Sequence, residues 1–181
     1  MRSYLKDYTF KQEVSPKKIA HMTDWLLQYH LRDNAFDFSL VLIDFQDPAA
    51  LGDALGAAHA MNLIYRIGDK VTEVLRTTDM FCRVQVSSFL VLLPQGSPDL
   101  VLSKIEPVLA VARDDGLDES HLNIGTLSIP ADLKQESSAI ELFDRLFIKE
   151  HRTRQQSQCF NGRNVPPQYR INEASLLRAT M

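Results

Sequence analysis

The sequence predicts an α+β domain, and two observations carry that expectation. Two β-type runs, Met80 to Val84 and Phe89 to Leu93, flank a short break at Gln85-Val86-Ser87-Ser88, the pattern of a hairpin. Around that hairpin, apolar positions recur at helical spacing in several stretches. The second hairpin run is wholly apolar, which suits a central strand covered on both faces.

The elements follow in order. Ser15-Pro16 opens a helix, with Ser as N-cap and Pro at the first helical position. Ile19, Met22, Leu26, Tyr29 and Leu31 mark its apolar side, Trp25 is expected in the core, and Asp33-Asn34 end it. Phe38 to Phe45 reads as a buried strand carrying Asp44 near its end, where a carboxylate is costly unless paired. Asp47-Pro48 opens a helical region, and Gly52 and Gly56 signal a close approach or a break between two helices. The second helix runs from about Ala58 to Leu75, with Met61, Ile64, Tyr65, Gly68, Val71 and Leu75 on one stripe. It delivers Arg76 to the hairpin. Ser97-Pro98-Asp99 starts a third helix, which Pro107 is expected to kink or shorten. Asp114-Asp115-Gly116 is a turn, Leu122 to Ile129 a strand, and Ser138 to Ile148 a fourth amphipathic helix. Residues 1 to 14 show no period.

A length of 181 residues suits one domain with a sizeable core. A net charge of -3 offers no whole-protein argument for nucleic acid or membrane binding. Every apolar stretch is interrupted by a polar or charged residue, so no membrane insertion is expected. The first residues lack an apolar signal core, and Cys82 and Cys159 are too few for a disulfide framework; both fit a cytoplasmic protein. The five histidines show no metal-ligand spacing, and no metal or cofactor is expected.

The hairpin region resembles the GGDEF (diguanylate cyclase) family. There an Arg-x-x-Asp pair precedes Gly-Gly-Asp/Glu-Glu-Phe by five residues, followed by an apolar strand ending near Pro. Arg76 and Asp79 match the pair, Phe89 the closing Phe, and Leu90 to Pro94 the strand. Gln85 and Val86 replace the glycines, and Ser87 and Ser88 replace the acids. Asp44 matches a magnesium-binding Asp, without a gap to Pro94, and Asp53 falls on an Asn-Asp-x-x-Gly segment whose Asn is Gly52. Met61 stands where the family holds guanine with an Asp. Gly125 with Pro130 fits a further family strand, and Asn161-Gly162-Arg163-Asn164-Val165 resembles a displaced family ending. The resemblance implies a palm-type, nucleotide cyclase-like fold with a central, mostly antiparallel sheet flanked by helices. It places the N-terminal segment and leading helix at residues 1–36, the degenerate GGDEF-like domain at 37–170 and a tail at 171–181.

Magnesium demands oxygen ligands, with carboxylates supplying the charge. Asp44 alone remains, the serines carry no charge, and β-branched Val86 resists the positive φ that glycine allows. No cyclase activity and no catalytic residue are therefore expected. The Arg76 and Asp79 pair matches the family's inhibitory site, which binds cyclic di-GMP. A guanidinium fork suits phosphate or a guanine edge, and a carboxylate accepts from guanine N–H groups. Both are expected to project from one loop. The family's third-helix Arg falls on Pro107, and Lys104, one turn earlier, is the candidate substitute charge. A competing structural reading has Arg76 capping the helix end and pairing with Asp79.

The implied function is a cyclic di-GMP receptor without catalysis, acting through a protein partner. The alternative is a ligand-independent protein-interaction scaffold, with a homodimer as one form of it. Lys149, Arg152, Arg154, Arg163 and Arg170 make the C-terminal part basic, most simply as a solvated face.

Overall fold

The structure, a computed structural model, describes residues 9–34 and 36–147. Four strands form one antiparallel sheet in the order β2-β3-β1-β4. The strands are β1 (Phe38–Phe45), β2 (Met80–Gln85), β3 (Ser88–Pro94) and β4 (Leu122–Ile129). The helices are α1 (Pro16–Asp33), α2 (Pro48–Leu55), α3 (Ala57–Val74), α4 (Asp99–Asp114) and α5, helical over residues 139–147. The expected α+β architecture with a central antiparallel sheet is what the chain adopts.

Alternation along the strands makes two cores. Val41, Ile43, Phe45, Phe81, Phe89, Val91 and Leu93 face α2, α3 and α4. Leu40, Leu42, Cys82, Leu90, Leu92, Leu127 and Ile129 face α1 and α5. β1 and β3 are central and covered on both sides, hence their near-continuous apolar runs. Burial pushes the Cys82 thiol up to about 12, with the nearby Glu13 carboxylate adding to it, so this cysteine is packing.

Local signals explain the boundaries. The Ser15 side chain accepts from the Lys18 amide, and Pro16 takes the first turn of α1. Asp47 caps α2 through the Ala49 and Ala50 amides. Gly56, at φ 83°, breaks α2 from α3. The hairpin turn is only Val86-Ser87, so both strands reach further into the break than expected.

Two expectations are corrected. Pro107 does not shorten α4, which runs unbroken to Asp114; the proline lies on its exposed side. Trp25 and Leu31 are not core residues, each being 49% exposed; α1 buries Ile19, Thr23, Leu26, Leu27 and His30 instead. The end of the periodless segment before α1 packs into the core. Phe10 is buried, packs edge-on against Phe81 and Phe89, and fills a notch at Gly68. The Val14 amide donates to the Phe81 carbonyl at 2.8 Å, tying this strap to the open edge of β2.

Candidate functional site

Asp44 stands in the last turn-facing position of β1, between Ser88 of β3 and Asn123 of β4 in register. The Ser88 hydroxyl donates to the Asp44 carboxylate. One strand residue further, the Phe45 amide donates to the Ser87 carbonyl at 2.9 Å. Ser87 and Ser88 are buried, whereas Gln85 and Val86 form the exposed hairpin tip. Asp53 is exposed on α2, and among the described residues no hydrogen bond or ion pair joins it to Asp44. A single carboxylate already engaged by a serine does not fit a magnesium ion, which needs several oxygen ligands. Among the described residues no group of three His, Cys, Asp or Glu side chains could hold a metal.

Arg76 and Asp79 meet in the loop between α3 and β2, as their spacing predicts. The Asp79 amide donates to the Arg76 carbonyl at 3.0 Å, closing a turn. The Asp79 carboxylate then accepts three bonds from Arg76: from the amide at 2.8 Å, Nε at 3.2 Å and Nη2 at 3.1 Å. Nη2 also donates to the Pro94 carbonyl at 3.0 Å, fastening the loop to the end of β3. The Asp79 side chain is 0% exposed and that of Arg76 50%. The expectation that both groups project is therefore corrected: Arg76 reaches the surface, and Asp79 turns inward to cap its own turn. A spacing of three suits that role, because it lets the carboxylate return to the Arg76 amide.

Gly96 completes this clasp and was invisible to sequence reasoning. A Cβ there would lie 2.9 Å from Arg76 Nη2 and 2.9 Å from the Leu93 Cβ. Nothing in the sequence marks it, since the contact is with a residue twenty positions away.

A family model described as "Diguanylate cyclase, GGDEF domain" matches residues 17–156. The chain belongs to the GGDEF family. It is 24% identical over 152 residues to the uncharacterised protein YhcK of Bacillus subtilis, covering 80% of this chain and 42% of that protein. The chain thus spans less than half of that relative's length. Among solved structures, the GGDEF domain of YfiN (TpbB) from Pseudomonas aeruginosa matches with a TM-score of 0.57 at 19% identity, covering 80% of this chain and 91% of that one. The GGDEF domain of DgcB from Caulobacter crescentus, in complex with c-di-GMP, matches with a TM-score of 0.57 at 12% identity, covering 80% and 85%. SiaD of Pseudomonas aeruginosa, a diguanylate cyclase in complex with its activator SiaC, matches with a TM-score of 0.52 at 16% identity, covering 78% and 55%.

Within this GGDEF domain Lys104 lies exposed in the second turn of α4. Arg83, beside the hairpin, is held by Glu13 at 3.4 Å and lies over the Phe10 ring, which fits a structural role. The basic residues Lys149, Arg152, Arg154, Arg163 and Arg170, with Cys159, lie outside the described residues. No described helix is long and apolar enough to cross a membrane.

Proposed function

We propose that this GGDEF domain makes no cyclic di-GMP and acts as a protein-interaction module, both of its ancestral nucleotide sites being closed by its own side chains. The carrying observation is the buried Asp79 carboxylate, engaged by three bonds from Arg76. A ligand guanine seeking that carboxylate has to displace a charged partner, and a buried carboxylate resists losing one. The Asp44–Ser88 bond supports the same reading at the catalytic end. The complex of SiaD, a diguanylate cyclase that this chain resembles over 55% of that chain's length, with its activator SiaC is in keeping with this reading. Calorimetry of the chain with GTP and magnesium, and separately with cyclic di-GMP, is expected to give no saturable heat and no product.

A second reading is the cyclic di-GMP receptor. The half-exposed Arg76 guanidinium favours it, as does the c-di-GMP complex of the DgcB domain. On that reading Arg76 exchanges Asp79 for ligand, with Lys104 as the auxiliary charge. Saturable binding that is lost in Arg76→Ala establishes the receptor and displaces the first reading.

A further inference from the structure

We propose that residues 9–14 are a latch for the β2–β3 hairpin. With Phe10 seated, the hairpin end stays closed with Ser88 on Asp44; unseating Phe10 frees that end while the rest of the sheet stays folded. The proposal rests on the closed-site reading above and deepens it, naming what keeps the catalytic end closed.

The strap grips both strands of the hairpin. Phe10 packs on Phe81 of β2 at 5.2 Å and on Phe89 of β3 at 5.4 Å, with its ring seated in the Gly68 notch of α3. Glu13 pairs with Arg83 of β2 at 3.4 Å, and the Arg83 guanidinium lies over the Phe10 ring at 5.6 Å. Arg83 stands opposite Phe89 in register, so ring and ion pair close on one rung of the hairpin. Main-chain support is slight, because Glu13 opposite Phe81 is an isolated bridge and not a ladder. The strap's own turn is strained. The Glu13 amide donates to the Phe10 carbonyl at 3.2 Å, and the Phe10 amide donates to the Glu13 carboxylate at 3.1 Å. Gln12, inside that turn, sits at φ 64°, a region that residues with side chains rarely occupy. Such a conformation persists because Phe10 and Val14 anchor it on either side, and it relaxes once Phe10 leaves.

The hairpin has a matching weak point. The β2–β3 register shifts between Arg83 and Gln85, directly beyond the gripped rung. An irregularity of this kind disrupts the ladder and lets the strand bend. Past it lies the tip, held to β1 by the Ser88 hydroxyl on Asp44 and by the Phe45 amide on the Ser87 carbonyl at 2.9 Å. Loss of Phe10 opens space beside Phe89, the chain neighbour of Ser88, and takes the ring from under Arg83. The rung that steadies the tip then loosens, and the two bonds to β1 go with it. β1 and β4 carry none of these anchors, so their pairing remains. Regions held by few contacts open below the free energy of global unfolding. A partner that takes hold of the strap thereby reaches the hairpin end.

Amide hydrogen exchange of the full chain, read by NMR, tests this. In the wild type the Val14 and Phe45 amides are expected to show similar protection, below that of the amides pairing β4 with β1. Phe10→Ala and the milder Glu13→Gln, which removes the charge facing Arg83, are each expected to speed the Phe45 amide about tenfold relative to β4. Phe143→Ala, which empties a buried phenylalanine site in the opposite core, is the control and should speed both regions alike. Strap variants that speed the Val14 amide and leave Phe45 unchanged overturn the latch, since the strap then opens alone. Variants that speed β4 as much as Phe45 overturn it too, because that is global unfolding. So does a wild type in which Phe45 is as protected as β4. Should Phe10→Ala fail to fold, Glu13→Gln against the wild type decides. Nucleotide binding is read separately by calorimetry. A chain that binds nucleotide and still opens strap and hairpin together loses the closed-site reading and keeps the latch.

Discussion

Arg76 wraps Asp79 from three sides, donating its own amide, Nε and Nη2 to one buried carboxylate. The pair therefore holds the α3–β2 turn. Hydrogen bonds to a charged group contribute about 1.5–3 kcal/mol each when one partner is removed. Arg76→Ala leaves the carboxylate buried with only the residue-76 amide and a long bond from the Thr78 hydroxyl at 3.5 Å, and is expected to cost about 2–3 kcal/mol. Asp79→Asn keeps an acceptor for the Arg76 amide and is expected to cost less. Urea denaturation of the two variants checks the order; equal stability of Arg76→Ala and wild type removes the clasp from the account.

Gly96 carries the other half of the clasp. A methyl at this position enters the space of Arg76 Nη2 and Leu93 at once. The arginine head is flexible and gives way first, so the expected damage is loss of the bond to the Pro94 carbonyl. Gly96→Ala should destabilise by about 1–2 kcal/mol in the wild type. In an Arg76→Ala background the cost should shrink, because one of the two clashes has gone. A double-mutant cycle by thermal melting reads the difference.

Phe10 and Gly68 form a plug and socket. A Cβ on Gly68 would sit 2.3 Å from the Phe10 ring, which has no room to retreat among Phe81, Phe89 and Tyr65. Phe10→Ala should cost about 3–5 kcal/mol, the usual range for a buried phenylalanine. Gly68→Ala should expel the ring and cost a similar amount, with the double variant well short of the sum. Proteolysis near residues 9–14 should rise in both. Additive losses would show that the strap and the socket act separately.

Much of this fold was legible because its signals are local. Ser15-Pro16, Asp47-Pro48 and Gly56 each set an element boundary by chemistry that acts within a few residues. The apolar runs of β1 and β3 announced central strands. What stayed hidden depends on contacts distant in sequence. Phe10 lies in a polar stretch without period, and only Gly68, 58 positions on, makes room for it. Trp25 misled because size and hydrophobicity suggest burial, whereas the helix turns Leu26 and Leu27 inward and leaves the indole outside. At the candidate site the spacing of Arg76 and Asp79 was readable, but their direction was not. A carboxylate that can project to a ligand can also fold back on its own turn, and only geometry distinguishes the two.

Glu136 gives the chain an acid-sensitive joint. Burial alone would push its carboxyl up, yet the Lys134 amide and the Arg145 charge outweigh that and hold it below the usual range. Arg145 also donates through Nη2 to the Asp132 carbonyl at 2.5 Å, so one ion pair fastens the β4–α5 loop to α5. Both side chains are mostly buried, at 17% and 11% exposed for Arg145 and Glu136. A carboxyl with a lowered folded pKa stabilises fully above its unfolded value, about 4.5, and loses that contribution as pH falls through the folded value. Stability should therefore drop on acidification below about pH 4.5. Glu136→Gln should remove part of that slope and cost about 1–3 kcal/mol at neutral pH. Denaturation midpoints of both proteins at neutral and acid pH make the comparison. If the gap between them stays constant as the pH is lowered, Glu136 does not carry the acid sensitivity.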